Sequence, residues 1–591
     1  MESATSSSSG EDVIKYLRTW GGGSYAVDSP SSNVENPKDP QHLSLFNSGG
    51  YETKSIHRRL SSASELKLII NMVVPRVLVI AGSDSSGGAG LEADQKVLAA
   101  HSCYAMTATT ALTAQNTSGV EDVHVTPPSF VGKQIDACLS DIGCDVVKTG
   151  MLASAETIRV IAEALQRHHV STIIVDPVMV ATSGAQLLPG DAVRNLRDLL
   201  LPMTSLLTPN IPEATLLLRD ADIQYKSPSG LEDLKALAKM VHGLGPKAIL
   251  LKGGHMPLTK DYIKSGSEEE KSITVDILYD GNDYTIIESR YVRSKNTHGT
   301  GCSLASAIAS NIALQKSRSQ PYDLDTSIRI AVRYVAAGIV TAPTSLGKGS
   351  GPINHFHSIQ TLPFSPGYFV EYLLSHPAVT PVWQKYTHHE FATQMARGTL
   401  PEALFKNYLI QDYIYLTHFA RTHALAAYKS KTMDAITASA TIIMHIEREM
   451  DLHLSYCREF GISKADIEDP TRRESLACVA YSRYVLDVGQ SEDWLALQMA
   501  LAPCLLGYGA TAQRLYREKE SVKTEQGNRY WRWVENYVAD DYQQAVRVGS
   551  QLIEKNIVRQ SPQRIDELVR IFVRATEMEV RFWDFDAHLE V

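Results

Sequence analysis

The stretch RVLVIAGSDSSGGAGLEADQKVLAAH, Arg76 to His101, decides the reading of the fold. RVLVIAG is a short apolar run ended by glycine, which predicts a buried strand. GLEADQKVLAAH has helical spacing. The same alternation continues downstream. MTATTALTA, DVVKTGML, TIIVDPVMV, SLLTPN and AILLKGG read as strands, and FVGKQIDACLSDI, AETIRVIAEALQRH and LEDLKALAKMVHGL read as helices. Strands alternating with helices predict a mostly parallel sheet covered on both faces. SITVDILYDGNDYTIIESRYV alternates around DGND, which predicts an antiparallel hairpin. Ligands of such α/β folds bind at the carboxyl ends of strands, where the glycines of this chain stand.

Residues 1–72 are rich in Ser, Gly and Asn with few periodic apolar positions. Such a composition buries too little surface to offset chain entropy, so a disordered tail is expected there. The α/β domain is expected over 73–356. HSIQTLPFSPG, with two prolines and a glycine, reads as a linker over 357–367. From 368 to 591 the chain is a series of long amphipathic helical patterns with short breaks, which predicts an all-α helical bundle.

The bulk numbers exclude several classes. Hydrophobic residues make up 44% and charged residues 21% of 591, within the globular range. A net charge of −9 without a basic stripe gives no sign of a nucleic-acid partner. No run of 18 apolar residues occurs, so no membrane span is expected. Seven cysteines with no C-x-x-C pair suggest neither a disulfide framework nor a zinc site. Together with the lack of an evident signal peptide, they make a cytoplasmic location the expectation.

Two glycine-rich turns lie in the α/β part: GSDSSGGAG (Gly82 to Gly90) and HGTGC (His298 to Cys302), each opening a helix. Glycine lets backbone N–H groups approach an anion, and a helix N-terminus adds donors and partial positive charge. Neither turn matches the P-loop or dinucleotide spacing. Taken with ALTAQNT, VVKTGML, DPVMVATSG, LLTPNIPEA, LLKGGH, NTHGTGCS and GKGSGPINHF, they make residues 75–356 resemble the hydroxymethylpyrimidine kinases of thiamine biosynthesis, within the ribokinase-like superfamily. The resemblance implies that Gly82, Ala89, Asp94, Gln115 and Met151 hold an aminopyrimidine, and Gln115 offers it a donor and an acceptor together. It implies that Thr208, Asn210, Glu213 and Lys252 face ATP, with Mg2+ ordered near Glu213 through water. Gly299, Thr300 and Gly301 would form the anion hole for the transferring phosphoryl group.

Cys302 stands where most sugar kinases of the superfamily have an aspartate base. A fixed carboxylate would repel an already phosphorylated substrate by about 4 kcal/mol at 4 Å and an effective dielectric near 20. A neutral thiol avoids this, and the helix N-terminus is expected to lower its pKa enough for base work in the first of two phosphorylations. Thr182 replaces a lysine common in bacterial members, and Lys348 in GKG is a candidate neighbour of the nucleotide.

In the helical part, Asp412 and Tyr415 are three apart on one helix, and Cys504 and Tyr508 are four apart on another. With Tyr481, Tyr537 and Glu579, and with GTLPEALFKNYLIQD and ALAPCLLGYG, residues 368–591 resemble the thiaminase II family. That resemblance implies Cys504 as nucleophile, Glu579 as proton shuttle and Asp412 on the amino group and ring nitrogen. It implies Tyr415, Tyr481 and Tyr537 as stacking or hydrogen-bonding partners, and Tyr508 as a support for the cysteine. The two halves would then share 4-amino-2-methylpyrimidines and thiamin as ligands, in a chain similar to fungal thiamine enzymes and expected to be a homo-oligomer. The alternatives are a pyridoxal-type kinase, a helical module that binds pyrimidine without hydrolysis, and a purely structural pair of domains.

Overall fold

A computed structural model of the chain describes residues 73–179, 188–467 and 474–584. The expected tail over 1–72 and Thr182 lie outside them. The described residues form two compact units, divided between Ile359 and Gln360.

The first unit is built on nine strands: β1 (Arg76–Asp84), β2 (Tyr104–Asn116), β3 (Gly119–Val125), β4 (Val146–Thr149), β5 (Ile173–Val175), β6 (Leu206–Leu207), β7 (Ile249–Leu251), β8 (Ile273–Tyr279) and β9 (Tyr284–Arg290). They form one sheet in the order β3-β2-β1-β4-β5-β6-β7-β8-β9. The run from β2 to β7 is parallel, with Val79 opposite Thr107 and Val147 opposite Ile173. The β8–β9 hairpin and β3 are antiparallel additions at the two edges. In β1, Leu78 and Ile80 join the core on one face while Val77, Val79 and Ala81 join the core on the other. That is the period-two alternation of a strand buried on both sides.

Helices α1 (Gly90–Ala100), α2 (Pro128–Asp141), α3 (Ala155–Arg167), α4 (Gly190–Asn195), α5 (Ile211–Asp220), α6 (Leu231–His242), α7 (Thr300–Ser317) and α8 (Leu324–Val340) cover the sheet. α1, α7 and α8 bury Leu98, Ile308 and Val335 on one face; α2 to α6 bury Ile135, Ile161, Leu217 and Leu237 on the other. The strong apolar runs appear where the sequence places them. β3, α4, α5 and α8 are additional. β3 (GVEDVHV) is mostly exposed and is held by its ladder to β2 rather than by apolar burial, so it carries no hydrophobic signature. β5 is shorter than TIIVDPVMV because Pro177 lacks the N–H that a continuing ladder needs.

The second unit is helical: α9 (Phe369–Ser375), α10 (Thr380–Thr387), α11 (Glu390–Arg397), α12 (Glu402–Lys429), α13 (Met433–Glu459), α14 (Lys464–Ile467), α15 (Leu476–Ser491), α16 (Trp494–Arg517), α17 (Trp531–Val538), α18 (Asp540–Ile557) and α19 (Pro562–Trp583). Ser475, Asp493 and Ser561 cap α15, α16 and α19 by accepting from Cys478, Ala496 and Arg564 amides. By length and apolarity α16 would suffice to cross a membrane, but 89% of its most apolar window is buried inside the bundle, as in a core helix. Phe405, Tyr408, Tyr481, Phe572 and Trp583 fill the interior with aromatic rings.

Candidate active sites

The first site forms where β1 and β2 end and α1 and α7 begin. Gly299, the residue before α7, has φ +75, and a Cβ there would lie 1.9 Å from the Gly88 carbonyl oxygen. Glycine at this position is what lets the HGTGC turn close on the GSDSSGGAG loop. Asp84 organises that loop. Its Oδ2 accepts from the Gly88 and Ala89 amides at 3.1 and 2.8 Å and from His298 Nε2 at 2.8 Å, and its Oδ1 accepts from the Ser86 amide and hydroxyl. Burial alone would raise the Asp84 carboxyl; the bonds from His298, Ser86 and Ala89 outweigh it and hold the group at about 2. Gln115 lies at the end of β2, with its amide 3.3 Å from His298 Nε2. The Met151 methyl lies 2.3 Å from where a Cβ on Gly82 would stand, so the two pack directly together. Gly82, Ala89, Gln115 and Met151 are thus set around one loop. Asp94 differs from them: it is fully buried, both its oxygens bind Lys148 Nζ at 2.9 Å, and Ser306 donates to it at 2.7 Å.

A second group converges on the start of α7 from β5, β6 and β7. Lys252 Nζ donates to Asp176 Oδ1 at 2.7 Å and lies 3.2 Å from where a Cβ on Gly301 would stand. Thr208 Oγ1 donates to the same Asp176 oxygen at 3.1 Å. Asp176 Oδ2 is buried with no hydrogen-bond partner. Asn210 and Glu213 form a capping box on α5: the Asn210 side chain accepts from the Glu213 amide and the Glu213 side chain from the Asn210 amide, both at 2.8 Å. Burial pushes Glu213 up to about 7 against the pull of Lys252. Among the described residues no group of three or more His, Cys, Asp or Glu gathers as a self-sufficient metal site. One orphaned carboxylate oxygen with a second carboxylate nearby fits a hard divalent cation that takes its remaining ligands from phosphate and water. Thr300 opens α7, its hydroxyl tied to the Thr297 carbonyl at 3.0 Å. Gly347 and Gly349 pack on Thr117, so the turn carrying Lys348 stands beside the end of β2 near Gln115.

One expectation about Cys302 is corrected. Its position at the start of α7 does not lower the thiol. Burial pushes it up to about 11; nearby Lys148 opposes this and Asp94 and Asp176 reinforce it. Removing the sulfur from water costs the thiolate more than a helix terminus returns. Cys302 is a neutral thiol.

The second site lies inside the bundle. Asp412 and Tyr415 of α12, Tyr481 of α15, Cys504 and Tyr508 of α16, and Glu579 and Phe582 of α19 line one space of ≈ 190 Å³, too narrow to admit a water-sized sphere. The spacing of three on α12 and α19 and of four on α16 turns both residues of each pair to that wall. Gly507 lets Tyr386 pack against α16, since a Cβ there would lie 2.0 Å from the Tyr386 ring. Tyr481 donates to Glu579 Oε1 at 2.7 Å and stacks on Tyr415 with centroids 5.0 Å apart and planes 15° from parallel. Tyr537 lies behind the wall, packed on Tyr508 at 5.1 Å and Trp533 at 4.6 Å. Burial, helped by Asp412, pushes Glu579 up to about 8 despite the Tyr481 bond. Burial pushes Asp412 up to about 6, with His453 opposing. The Cys504 thiol is held well above its usual range by burial and by Glu579. The site therefore stores protons: one on sulfur and, at neutral pH, one on Glu579.

Three residues of the first unit were not singled out from sequence: Asp84, His298 and Asp176. The first two stand inside the quoted glycine turns. Asp176 follows strand β5, the place where α/β folds present ligand-binding groups.

Residues 84–354 match the phosphomethylpyrimidine kinase family, and residues 376–589 match the TENA/THI-4/PQQC family. A protein of Schizosaccharomyces pombe assigned as a hydroxymethylpyrimidine/phosphomethylpyrimidine kinase is 44% identical over 86% of this chain and 91% of its own. The hydroxymethylpyrimidine/phosphomethylpyrimidine kinase THI20 of Saccharomyces cerevisiae is 36% identical over 90% of this chain and 98% of its own. A crystal structure of phosphomethylpyrimidine kinase from Clostridium difficile 630 is 36% identical, covering 44% of this chain and 97% of that one, with a TM-score of 0.36. With the two yeast relatives 36–44% identical over 86–90% of it, the chain belongs to the hydroxymethylpyrimidine/phosphomethylpyrimidine kinase family, in the form that carries a TENA/THI-4/PQQC domain after the kinase domain.

Proposed function

We propose that the first unit transfers phosphate from ATP to 4-amino-5-hydroxymethyl-2-methylpyrimidine, and then to its monophosphate, giving the diphosphate. The bundle hydrolyses thiamin or aminopyrimidine breakdown products to the same alcohol. The observation that carries this reading is the convergence in each half of groups suited to one heterocycle. Gln115, Met151 and Gly82 border the loop beside the anion hole, and Cys504, Asp412 and Glu579 share one aromatic-walled space.

In the kinase step the chain mainly positions and neutralises, since phosphoryl transfer asks for little covalent help. Amides at Gly299, Thr300 and Gly301 face the transferring group, and Lys252 brings positive charge to the same turn. Asp176, with Glu213 behind it, would hold Mg2+, which supplies charge neutralisation on the phosphates when bound. Neutral Cys302 stands at the hydroxymethyl end without repelling a substrate that already carries a phosphate. This suits two successive transfers.

In the bundle, Asp412 binds the amino group and ring nitrogen of the pyrimidine and makes the ring electron-poor. Cys504 sulfur bonds to a ring carbon as its proton passes by way of Asp412 to the ring nitrogen, since Glu579 already holds one. The thiazole then leaves the methylene as a neutral ring, its nitrogen keeping the bonding pair, or an amine leaves with a proton from Glu579. Water adds to the methylene, and the sulfur–carbon bond breaks to return the thiol. Tyr481 holds Glu579 in place for its proton transfer.

The test is direct. Purified protein given ATP, Mg2+ and the hydroxymethyl aminopyrimidine should yield mono- and then diphosphate by mass spectrometry. Protein given thiamin or an aminomethyl pyrimidine should release the alcohol. A product pair formed only from pyridoxal would overturn the kinase reading, and no release from any pyrimidine would overturn the hydrolase reading.

A further inference from the structure

His453 lies beside the bundle site without lining it, and nothing in the reaction above uses it. It stands on α13 and is buried. Its Nε2 lies 3.0 Å from the Leu409 carbonyl oxygen, and its Nδ1 lies 4.0 Å from Asp412 Oδ2. Leu409 and Asp412 are three apart on α12, so the imidazole sits along one turn of that helix. It also packs on Tyr413, with centroids 5.9 Å apart. A carbonyl oxygen can only accept, so Nε2 carries a hydrogen in either charge state of the ring. A second hydrogen has one place left, Nδ1, the nitrogen that faces the carboxylate. A charged His453 therefore turns its extra proton toward Asp412, at ion-pair distance rather than in a hydrogen bond.

The other titratable groups around Asp412 leave this role to His453. Burial pushes up the thiols Cys457 of α13, Cys478 of α15 and Cys504 of α16. It also raises the phenols Tyr408 of α12, Tyr508 of α16 and Tyr537 of α17 well above their usual range. All six are neutral near pH 7, and Glu579 of α19 can bring only negative charge. Among the described residues His453 is the one group that lowers the Asp412 carboxyl, against the burial that lifts it to about 6. We infer that His453 is a positioning residue for the bundle reaction, aiming its Nδ1 proton at Asp412 so that Asp412 stays a carboxylate free to take the proton of Cys504. The inference rests on the reading of the bundle as a pyrimidine hydrolase. Cys504 and Glu579 both hold protons at neutral pH, so Asp412 is the ionised group among the three. When His453 and Asp412 share a single proton, placing it on the ring keeps that acceptor open. Without the ring, burial acts on Asp412 unopposed, and the thiol loses the base that receives its proton as sulfur adds to the pyrimidine.

The experiment measures kcat/KM against pH for release of the alcohol from the 5-aminomethyl-2-methyl-4-aminopyrimidine, in wild type and His453→Gln. Glutamine can keep the bond to Leu409 and carries no charge. In wild type the rate should fall as pH drops through about 6, where Asp412 takes up a proton. An opposite charge within ~4–6 Å lowers a carboxyl by roughly 1–3 units, so this acid limb should move up by roughly one pH unit or more in His453→Gln. The titration of the substrate itself is common to both proteins and drops out of the comparison. A purely structural role would scale the rate by one factor at every pH, and an acid limb that stays in place would overturn the inference. If His453→Gln fails to fold, His453→Asn, equally uncharged, decides by the same shift. A wild-type enzyme that releases no alcohol would instead overturn the hydrolase reading, a result distinct from an unmoved limb.

Discussion

Replacing Glu579 by glutamine should convert a pH-dependent weakness of the bundle into a gain in stability. Glu579 is 1% exposed and is pushed from 4.5 to about 8, first by burial and then by Asp412. Below pH 4.5 both folded and unfolded chains carry the proton, and the group makes no difference. Between 4.5 and 8 the folded chain keeps a proton that the unfolded chain has released, so stability falls as pH rises through that window. The gap of about 3.5 pH units, at 1.36 kcal/mol each, amounts to about 5 kcal/mol at pH 8. Glutamine has the same shape, can still accept from Tyr481, and has nothing to ionise. For a domain of this size each kcal/mol moves Tm by roughly 2–4 °C, so the variant's lead over wild type should grow by roughly 8–16 °C between pH 5 and pH 8, a window of three of those units. Tryptophan fluorescence reads this cleanly. Of the six tryptophans, Trp383, Trp494, Trp531, Trp533 and Trp583 lie in the bundle, and the sixth is Trp20 of the N-terminal segment. Thermal melts of the whole chain at pH 5, 6.5 and 8 give the comparison. Parallel curves of Tm against pH for the two proteins would refute the placement of a protonated carboxyl beside Cys504.

Cys504→Ser should lower pyrimidine release by about 10³-fold or more while leaving phosphate transfer unchanged, measured by product mass in the same sample. Asp176→Asn should raise the Mg2+ concentration needed for half-maximal kinase rate by about 10- to 100-fold, with the bundle reaction as internal control. Gly299→Ala places a side chain at φ +75 and 1.9 Å from the Gly88 carbonyl, so kinase activity should collapse while the tryptophan melt of the bundle stays put. Cys302→Ala should lower phosphorylation of the hydroxymethyl substrate and of its monophosphate by similar factors, as fits a thiol that stays protonated; a much deeper loss in the first step, read from the two product masses, would show that the thiol takes the hydroxyl proton.

The parallel sheet was legible because β1, β5 and β7 are apolar runs buried on both faces, and the bundle because its helices repeat apolar residues at helical spacing. β3 escaped because an edge strand with exposed side chains leaves no hydrophobic trace. The reading of Asn210 and Glu213 shows a different limit. N-x-x-E before an apolar helix is also a capping signature, and the structure spends both side chains on that cap, which turns attention to Asp176 and its unpartnered oxygen. Cys302 shows a third: adjacency to a helix start is visible in the letters, while the burial that raises the thiol, and the charges of Lys148 and Asp94 that act on it from more than 150 positions away, come only with the fold. In the bundle, helical spacing alone placed Asp412 with Tyr415 and Cys504 with Tyr508, but only the fold brings Glu579 of the last helix to Tyr481.

The narrowness of the space around Cys504 has a consequence for the life of the enzyme. A sulfur that water cannot visit is also out of reach of peroxide, and a thiol held in its protonated form is a poor target for oxidants. The idle bundle therefore shelters the thiol proposed as its nucleophile, and the hazard is confined to the moments when the space is open to a substrate. Oxidative inactivation should track turnover rather than time.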